Sequence, residues 1–327
     1  MKNGISPKFL KDGAEIISFP LTYILNLSVK TSQVPVDFKT ARVVPLYKKG
    51  DKNYEGNYRP VSILPVISKV LERKAYDQLY EYLNNHNLLY KFQSGFRACF
   101  STDTALTFLC DNIRNNMDKG LYTGIVLIDL QKAFDTVDHH ILSTKLKAIG
   151  LNTSAVTWFV SYLSSRHQFV ELNDCESEYG NINCGVPQGS ILGPLLFSIY
   201  VNDMKQAVNC DLYLYADDSA LVVSGNDPKE IEHQLSKELA SLSLWLEENR
   251  LSLHLGKTES ILFASNQKLK KCKDLAISCN DVEIKANSSV KYLGVTLDQN
   301  MSGNTMGTSI VRKVNAKLKF LYRKRVF

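Results

Sequence analysis

Asp211-Leu212-Tyr213-Leu214-Tyr215-Ala216-Asp217-Asp218-Ser219-Ala220-Leu221-Val222-Val223 is the stretch whose reading decides the fold. Two short runs of strand composition, rich in Leu, Val and Tyr, flank the tetrad Tyr215-Ala216-Asp217-Asp218. The simplest geometry is a hairpin whose turn carries two adjacent carboxylates, a place that Asp suits because its side chain bonds nearby backbone. Carboxylates held so close repel one another. A divalent cation offsets the repulsion, and oxygen ligands suit Mg2+. An ordinary solvated turn is the alternative, and four residues alone do not separate the two.

A second acidic feature lies upstream. Gly124-Ile125-Val126-Leu127-Ile128-Asp129-Leu130 is a continuous apolar run that reads as a buried strand and ends on a carboxylate. A charge placed there needs a partner or a metal. Pairing this strand with the hairpin would bring Asp129 to Asp217 and Asp218. Three converging carboxylates make a two-metal site, which clamps the attacking and leaving oxygens of an in-line phosphoryl or nucleotidyl transfer.

The rest of the chain alternates helical and extended patterns, an α+β composition. Residues 1–33 read as helical, punctuated by Pro7 and Pro20; 41–47 reads as a strand and 68–83 as an amphipathic helix. Gln93-Ser94-Gly95-Phe96-Arg97 reads as a turn before a helix over 103–118 that starts at Ser101-Thr102-Asp103. Asp138 is placed to cap a helix through Ala148, with His139 and His140 in its first turn rather than on zinc. Helices are expected over 153–163, 191–201 and 228–249, and strands over 168–172, 251–255, 260–263 and 290–297. The Gly/Pro loop Cys184-Gly185-Val186-Pro187-Gln188-Gly189-Ser190 leads into the helix at 191. Lys268 to Lys273 forms a basic loop, and Val311, Val314, Leu318 and Leu321 mark one face of a terminal helix.

At 327 residues the chain is long enough to bury a core, and its 44% hydrophobic and 22% charged residues are ordinary for a folded soluble protein. No apolar run spans a bilayer and no signal-peptide pattern opens the chain, so no membrane partner is expected. The seven cysteines form no Cys-x-x-Cys pair and fit free thiols in a reducing, intracellular compartment, nucleus or cytoplasm. Net charge is +6, yet residues 299–327 hold seven basic residues and no acidic one, Arg312, Lys313, Lys317, Lys319, Arg323, Lys324 and Arg325. Positive charge is therefore concentrated at the C-terminus, as an anion-binding surface requires; a solvated helix face is the alternative.

The chain resembles the reverse transcriptase of non-LTR, LINE-type retrotransposons, especially the jockey and CR1-like lineages, over about residues 34–298. The resemblance rests on ordered blocks: Tyr47-Lys48-Lys49-Gly50-Asp51, Asn57-Tyr58-Arg59-Pro60, Gln93-Ser94-Gly95-Phe96-Arg97, Ile128-Asp129-Leu130-Gln131-Lys132-Ala133-Phe134-Asp135, Gly185-Val186-Pro187-Gln188-Gly189-Ser190-Ile191-Leu192-Gly193-Pro194, Tyr215-Ala216-Asp217-Asp218 and Lys291-Tyr292-Leu293-Gly294-Val295. It implies a right-hand polymerase fold with fingers and palm interleaved over 34–298, an antiparallel palm sheet backed by helices, a helical extension over 1–33 and a partial thumb over 299–327. It also implies an RNA-templated DNA polymerase that adds dNTPs to a DNA or RNA primer with two Mg2+ ions, Mn2+ being a possible substitute. Asp129, Asp217 and Asp218 would be metal ligands, joined by the Leu130 carbonyl. Phe134 would be the gate that excludes a 2′-hydroxyl, its alternative a core aromatic. Gln188 and Gly189 would line the nucleotide pocket, Arg59 would meet the triphosphate, and Lys257 the leaving pyrophosphate. Arg312, Lys313, Lys317 and Lys319 would contact nucleic acid, and Arg97, Lys132 and Asp135 would be structural pairing partners.

Two residues depart from the family pattern, His254 where Asn is usual and Phe100 where a polar residue is common. Family members also carry an endonuclease domain, usually upstream, which this sequence lacks, so a truncated member is expected. Two other functions stay open at this point. An RNA-dependent RNA polymerase would use Asp135 to favour ribose, against which Phe134 argues. A catalytically silent retrotransposon remnant would bind nucleic acid without extending a primer.

Overall fold

The computed structural model describes residues 5–172, 175–272 and 275–324. Its helices are α1 (Pro7–Asp12), α2 (Ala14–Thr31), α3 (Val66–Asn85), α4 (Thr102–Asp118), α5 (His139–Ala148), α6 (Thr153–Leu163), α7 (Gly193–Tyr200), α8 (Pro228–Glu248), α9 (Asn266–Leu269) and α10 (Asn304–Lys324). Its strands are β1 (Thr40–Tyr47), β2 (Tyr58–Ile63), β3 (Tyr122–Ile128), β4 (Arg166–Leu172), β5 (Cys175–Glu176), β6 (Gly180–Ile182), β7 (Asp211–Tyr215), β8 (Asp218–Gly225), β9 (Glu259–Phe263), β10 (Ser278–Cys279), β11 (Val282–Glu283), β12 (Lys285–Ala286), β13 (Ser289–Tyr292) and β14 (Val295–Asp298). None of the described helices is long and apolar enough to cross a membrane.

The chain forms two compact units, each assembled from three segments. One comprises residues 1–90, 132–203 and 249–251, the other 91–131, 204–248 and 252–327. In the first, β1 and β2 form an antiparallel hairpin, and β1 also runs parallel to β4, with Val43 opposite both Ser62 and Val170. Helix α7 is buried at every position except the half-buried Pro194, so it needs no polar face, and Pro194 sits in its first turn, where a missing N–H costs nothing. It begins two residues later than its apolar run suggests because the Ser190 hydroxyl oxygen accepts from the Gly193 N–H. At the base of this unit Glu72, on α3, is 1% exposed. Its carboxylate accepts from the Ser68 hydroxyl (3.1 Å), the Tyr162 hydroxyl of α6 (3.1 Å) and the Ile191 N–H (2.6 Å). One side chain thus ties two helices to the loop that precedes α7, and three donors compensate its desolvation.

The second unit is organised on β3, which is buried at all seven positions. It lies at the centre of a sheet ordered β12-β9-β3-β8-β7. Being covered on both faces explains why its sequence is continuously apolar rather than alternating. Helix α8 lies on one face, and it can approach because Gly124 has no side chain: a Cβ there would come 2.5 Å from Ile231. Leu106, Leu109 and Ile113 of α4 pack on the other face together with Val290 and Tyr292 of the β13–β14 hairpin. The N-terminus of α4 is fixed by a capping box between Ser101 and Thr104.

Three expectations need correction or limits. Residues 251–255 alternate like a strand but form only a bridge, Leu253 to Leu130. The chain instead turns tightly over 255–257, where the His254 carbonyl accepts from the Lys257 and Thr258 N–H groups. The apolar face of α10 exists, yet Val311, Val314 and Leu318 are 57%, 48% and 44% exposed. Arg325, Lys273 and the side chains of Leu321, Arg323 and Lys324 lie outside the described residues.

Removing the Glu72 carboxylate by Glu72→Ala takes the acceptor from two buried hydroxyls and a backbone N–H, and is expected to cost roughly 3–5 kcal/mol. Urea unfolding checks this; Glu72→Gln, which keeps the shape and an acceptor oxygen, is expected to lose less than half as much.

Candidate active site

The β3–β8 ladder runs to Ile128 opposite Ser219. One step further along the same ladder stand Asp129 and Asp218, so antiparallel register alone carries the strand-end carboxylate to the hairpin. The hairpin is tighter than the tetrad suggests. Tyr215 pairs with Asp218, leaving Ala216 and Asp217 as its two turn residues and making Asp218 the first residue of β8. Ala216 holds a left-handed φ of 57°, a conformation that favours Gly.

What holds Ala216 there is the stretch Gln93-Ser94-Gly95. The Ser94 N–H donates to the Leu214 carbonyl (2.9 Å), and the Leu214 N–H donates back to the Phe92 carbonyl (3.0 Å). The Gln93 side-chain oxygen accepts from the N–H groups of Gly95 (2.9 Å) and Ala216 (3.3 Å). Gly95 must be Gly, since a Cβ would lie 2.2 Å from the Ala216 nitrogen. This brace was read from sequence only as a turn. Its signals are a Gln and a Gly two residues apart, and neither reveals which turn it supports.

Asp129 is only partly buried. Its carboxylate accepts from the Lys257 ammonium at 3.0 Å, its carbonyl accepts from the His254 N–H at 2.8 Å, and Leu130 is buried beside it. The partner that sequence demanded for Asp129 is therefore Lys257. Among the described residues no such cation pairs with Asp218. Desolvation by surrounding protein, then repulsion from Asp217 and Asp129, pushes its carboxyl up to about 6, although the residue as a whole still meets solvent. Nearby, the Tyr292 hydroxyl is buried without a hydrogen-bond partner among the described residues, and burial together with the Asp218 charge raises its pKa. Among the described residues no three His, Cys, Asp or Glu side chains converge into a ready coordination shell. The donor set nevertheless suits a hard divalent cation: three carboxylates within electrostatic reach, at least one of them destabilised by the others' charge.

The other candidate residues belong to the first unit. Phe134 is half-buried and stacks on Phe197, with ring centroids 4.5 Å apart, so it is packed on one side. The Gln188 carbonyl accepts from the Ser62 N–H of β2 at 2.7 Å. Gly189 has a φ of 123°, and a Cβ there would meet the Ser62 carbonyl oxygen at 2.4 Å, so only Gly fits. Arg59 lies exposed on that same strand, three residues before Ser62. Phe134, Gln188, Gly189 and the Arg59 strand are thus brought together in one unit, and Asp129, Asp217, Asp218 and Lys257 in the other. Arg312, Lys313, Lys317 and Lys319 are exposed along α10. Of the structural pairing partners, Arg97 donates to the Gln93 carbonyl and covers the Phe100 ring at 4.4 Å, which accounts for an aromatic at position 100. Lys132 makes a left-handed turn, and Asp135 bonds Gln188.

A family model described as reverse transcriptase (RNA-dependent DNA polymerase) matches residues 47–297. Similar curated proteins include a "probable RNA-directed DNA polymerase from transposon BS" of Drosophila melanogaster, 31% identical over 86% of this chain and 32% of that protein. The RNA-directed DNA polymerase from mobile element jockey of Drosophila funebris is 28% identical over 91% of this chain and 33% of its own length. The chain spans about a third of the curated relatives it matches. Among solved structures, a telomerase from Candida tropicalis matches 83% of this chain and 46% of its own, with a TM-score of 0.54 at 12% identity, a likeness of fold. The fold is that of the right-hand polymerases. With that fold, seven motif blocks in order and a family model covering most of its length, the chain belongs to the reverse transcriptase family, among the polymerases of non-LTR retrotransposons.

Proposed function

We propose that this chain is an RNA-templated DNA polymerase module that adds dNTPs to a primer 3′-hydroxyl. The observation that carries the proposal is the β3–β8 register, which brings Asp129 to the hairpin of Asp217 and Asp218, where desolvation and the charges of Asp217 and Asp129 drive the Asp218 carboxyl up to about 6. Such an unbalanced acidic centre invites divalent cations. Asp129, Asp217, Asp218 and the Leu130 carbonyl would hold two Mg2+ ions, with Mn2+ a possible substitute. When bound, the ions lower the pKa of the primer hydroxyl and neutralise the triphosphate.

The chain's own side chains do the rest. The planar fork of Arg59 suits the triphosphate. Phe134, backed by Phe197, closes the space a 2′-hydroxyl would need, which selects deoxyribonucleotides. Gln188 and Gly189 line the pocket. Lys257 neutralises Asp129 in the absence of cations; released from it, its ammonium can protonate the leaving pyrophosphate. The basic residues of α10 contact the phosphates of the RNA template and primer. A silent nucleic-acid-binding remnant is the alternative reading. The Lys257–Asp129 pair favours it, because it balances one carboxylate without any metal.

Primer extension on an RNA template with dNTPs separates the readings. Extension is expected to require Mg2+, and Asp217→Asn to lower it by about 10³-fold or more while RNA affinity changes less than about twofold. A folded chain that binds the primed template but never extends it would leave only the remnant reading. Replacing Lys313 and Lys317 together by Ala is expected to reduce the slope of log affinity against log salt by about 2, with little change in sequence preference.

The raised Asp218 pKa also sets a pH dependence. A carboxyl whose folded pKa lies above its unfolded value destabilises the fold once it ionises. The penalty is absent below the unfolded pKa and complete above the folded one. In EDTA the Asp218→Asn variant is therefore expected to melt above the wild type at about pH 7.5, and the gap to close towards about pH 4. Saturating Mg2+ is expected to raise the wild-type midpoint and leave the variant nearly unmoved.

A further inference from the structure

Two loops of the first unit, 132–138 and 184–190, are stitched together. The Val186 N–H donates to the Phe134 carbonyl at 2.8 Å and the Gly185 N–H to the Val137 carbonyl at 2.7 Å. Gly185 has a φ of 85°, and a Cβ there would come 2.7 Å from the Asp135 carbonyl oxygen, so the approach is closed to any other residue. A hydrogen bond between the His139 ring nitrogen and the Gly185 carbonyl closes the far side at 2.8 Å. On this fixed frame the Gln188 side-chain N–H donates to Asp135 Oδ1 at 2.8 Å.

Gln188 is then held at both ends, its carbonyl by Ser62 and its amide by Asp135. A glutamine amide has a donor end and an acceptor end of nearly the same shape, and a mobile one presents either. A carboxylate only accepts. It fixes the NH2 end on itself, and an ionised acceptor does so more strongly than a neutral one. We infer that Asp135 is a positioning residue for nucleotide selection: it locks the Gln188 amide so that its oxygen, and not its nitrogen, faces the incoming nucleotide. The same bond commits Asp135 to Gln188, which removes it as a ribose-reading carboxylate of the RNA-polymerase kind. Asp135 also sits next to Phe134 on the stitched frame, so pocket and gate share one support. This inference rests on the assignment of Gln188 to the nucleotide pocket.

Single-nucleotide incorporation by the whole chain on a primed RNA template tests it, with kcat and the KM for dNTP read separately. Asp135→Ala is expected to raise KM about tenfold, with kcat changed less than about twofold. Asp135→Asn keeps an acceptor oxygen and should restore KM to within about threefold of wild type. Asp135→Glu keeps the charge but moves the acceptor by one methylene; it should raise KM several-fold, and serves if the Ala variant fails to fold. Gln188→Ala should raise KM at least as much as Asp135→Ala, and the double variant no further. Independent, multiplicative losses in the double variant would overturn the inference, as would a loss in kcat at constant KM. If Gln188→Ala raises KM and neither Asp135→Ala nor Asp135→Glu does, this inference alone falls. If Gln188→Ala leaves KM unchanged, the pocket assignment falls and this inference with it.

Discussion

The register between β3 and β8 is the constraint on which the acidic centre of this molecule depends. Pairing Ile128 with Ser219 puts two carboxylates at the end of one ladder, with a third in the turn beside them. A slip of one residue would turn every side chain of β3 to the opposite face of the sheet. Burial forbids that slip: β3 is enclosed at all seven positions, and Gly124 fits only under Ile231 of α8. The hydrophobic effect thereby does electrostatic work. It holds like charges at separations that water and repulsion would otherwise increase, and desolvation first, then that repulsion, raises the pKa of Asp218.

The ladder cannot by itself shape the turn. Ala216 needs a left-handed conformation that costs a non-glycine residue free energy, and strain of this kind persists only where surroundings over-determine it. Gln93, Ser94 and Gly95 supply that over-determination through backbone bonds and a contact too close for any side chain at position 95. The first unit repeats the device. Gly185 and Gly189 each sit at positive φ against a neighbouring carbonyl, and Glu72 anchors the following residues from the core. In both units glycine contacts with buried supports hold in place loops that carry residues expected to meet substrate.

Much of this was legible in the sequence, for identifiable reasons. The continuous apolar run ending on Asp129 reads as a covered strand, the Tyr215–Asp218 tetrad between Leu- and Val-rich runs reads most simply as a hairpin, and both are found. Caps at Ser101 and Asp138 were local signals and appear where they were read. The failures are the non-local ones. Residues 251–255 have a strand's alternation, but the tight turn at 255–257 claims their hydrogen bonds, a competition that periodicity does not register. Glu72 stands between Leu71 and Arg73 in the amphipathic pattern of 68–83, and nothing local announces that Tyr162 and Ile191 will point donors at it.

Asp129 shows how far such reasoning reaches. Sequence demanded a partner for it and named a metal or a counter-charge as the two possibilities. Lys257, itself expected at the leaving pyrophosphate, is the partner. The two roles are compatible if the pair is weak. Lys257 is 60% exposed, so solvent screens the pair and its contribution to stability is small. A divalent cation brings twice the charge and direct oxygen coordination to Asp129, and it need displace only a screened ammonium. Once displaced, that ammonium would have no carboxylate to hold it. Under the proposed activity, a partly exposed, replaceable ion pair would let one lysine quiet the acidic centre before cations arrive and serve the leaving group afterwards.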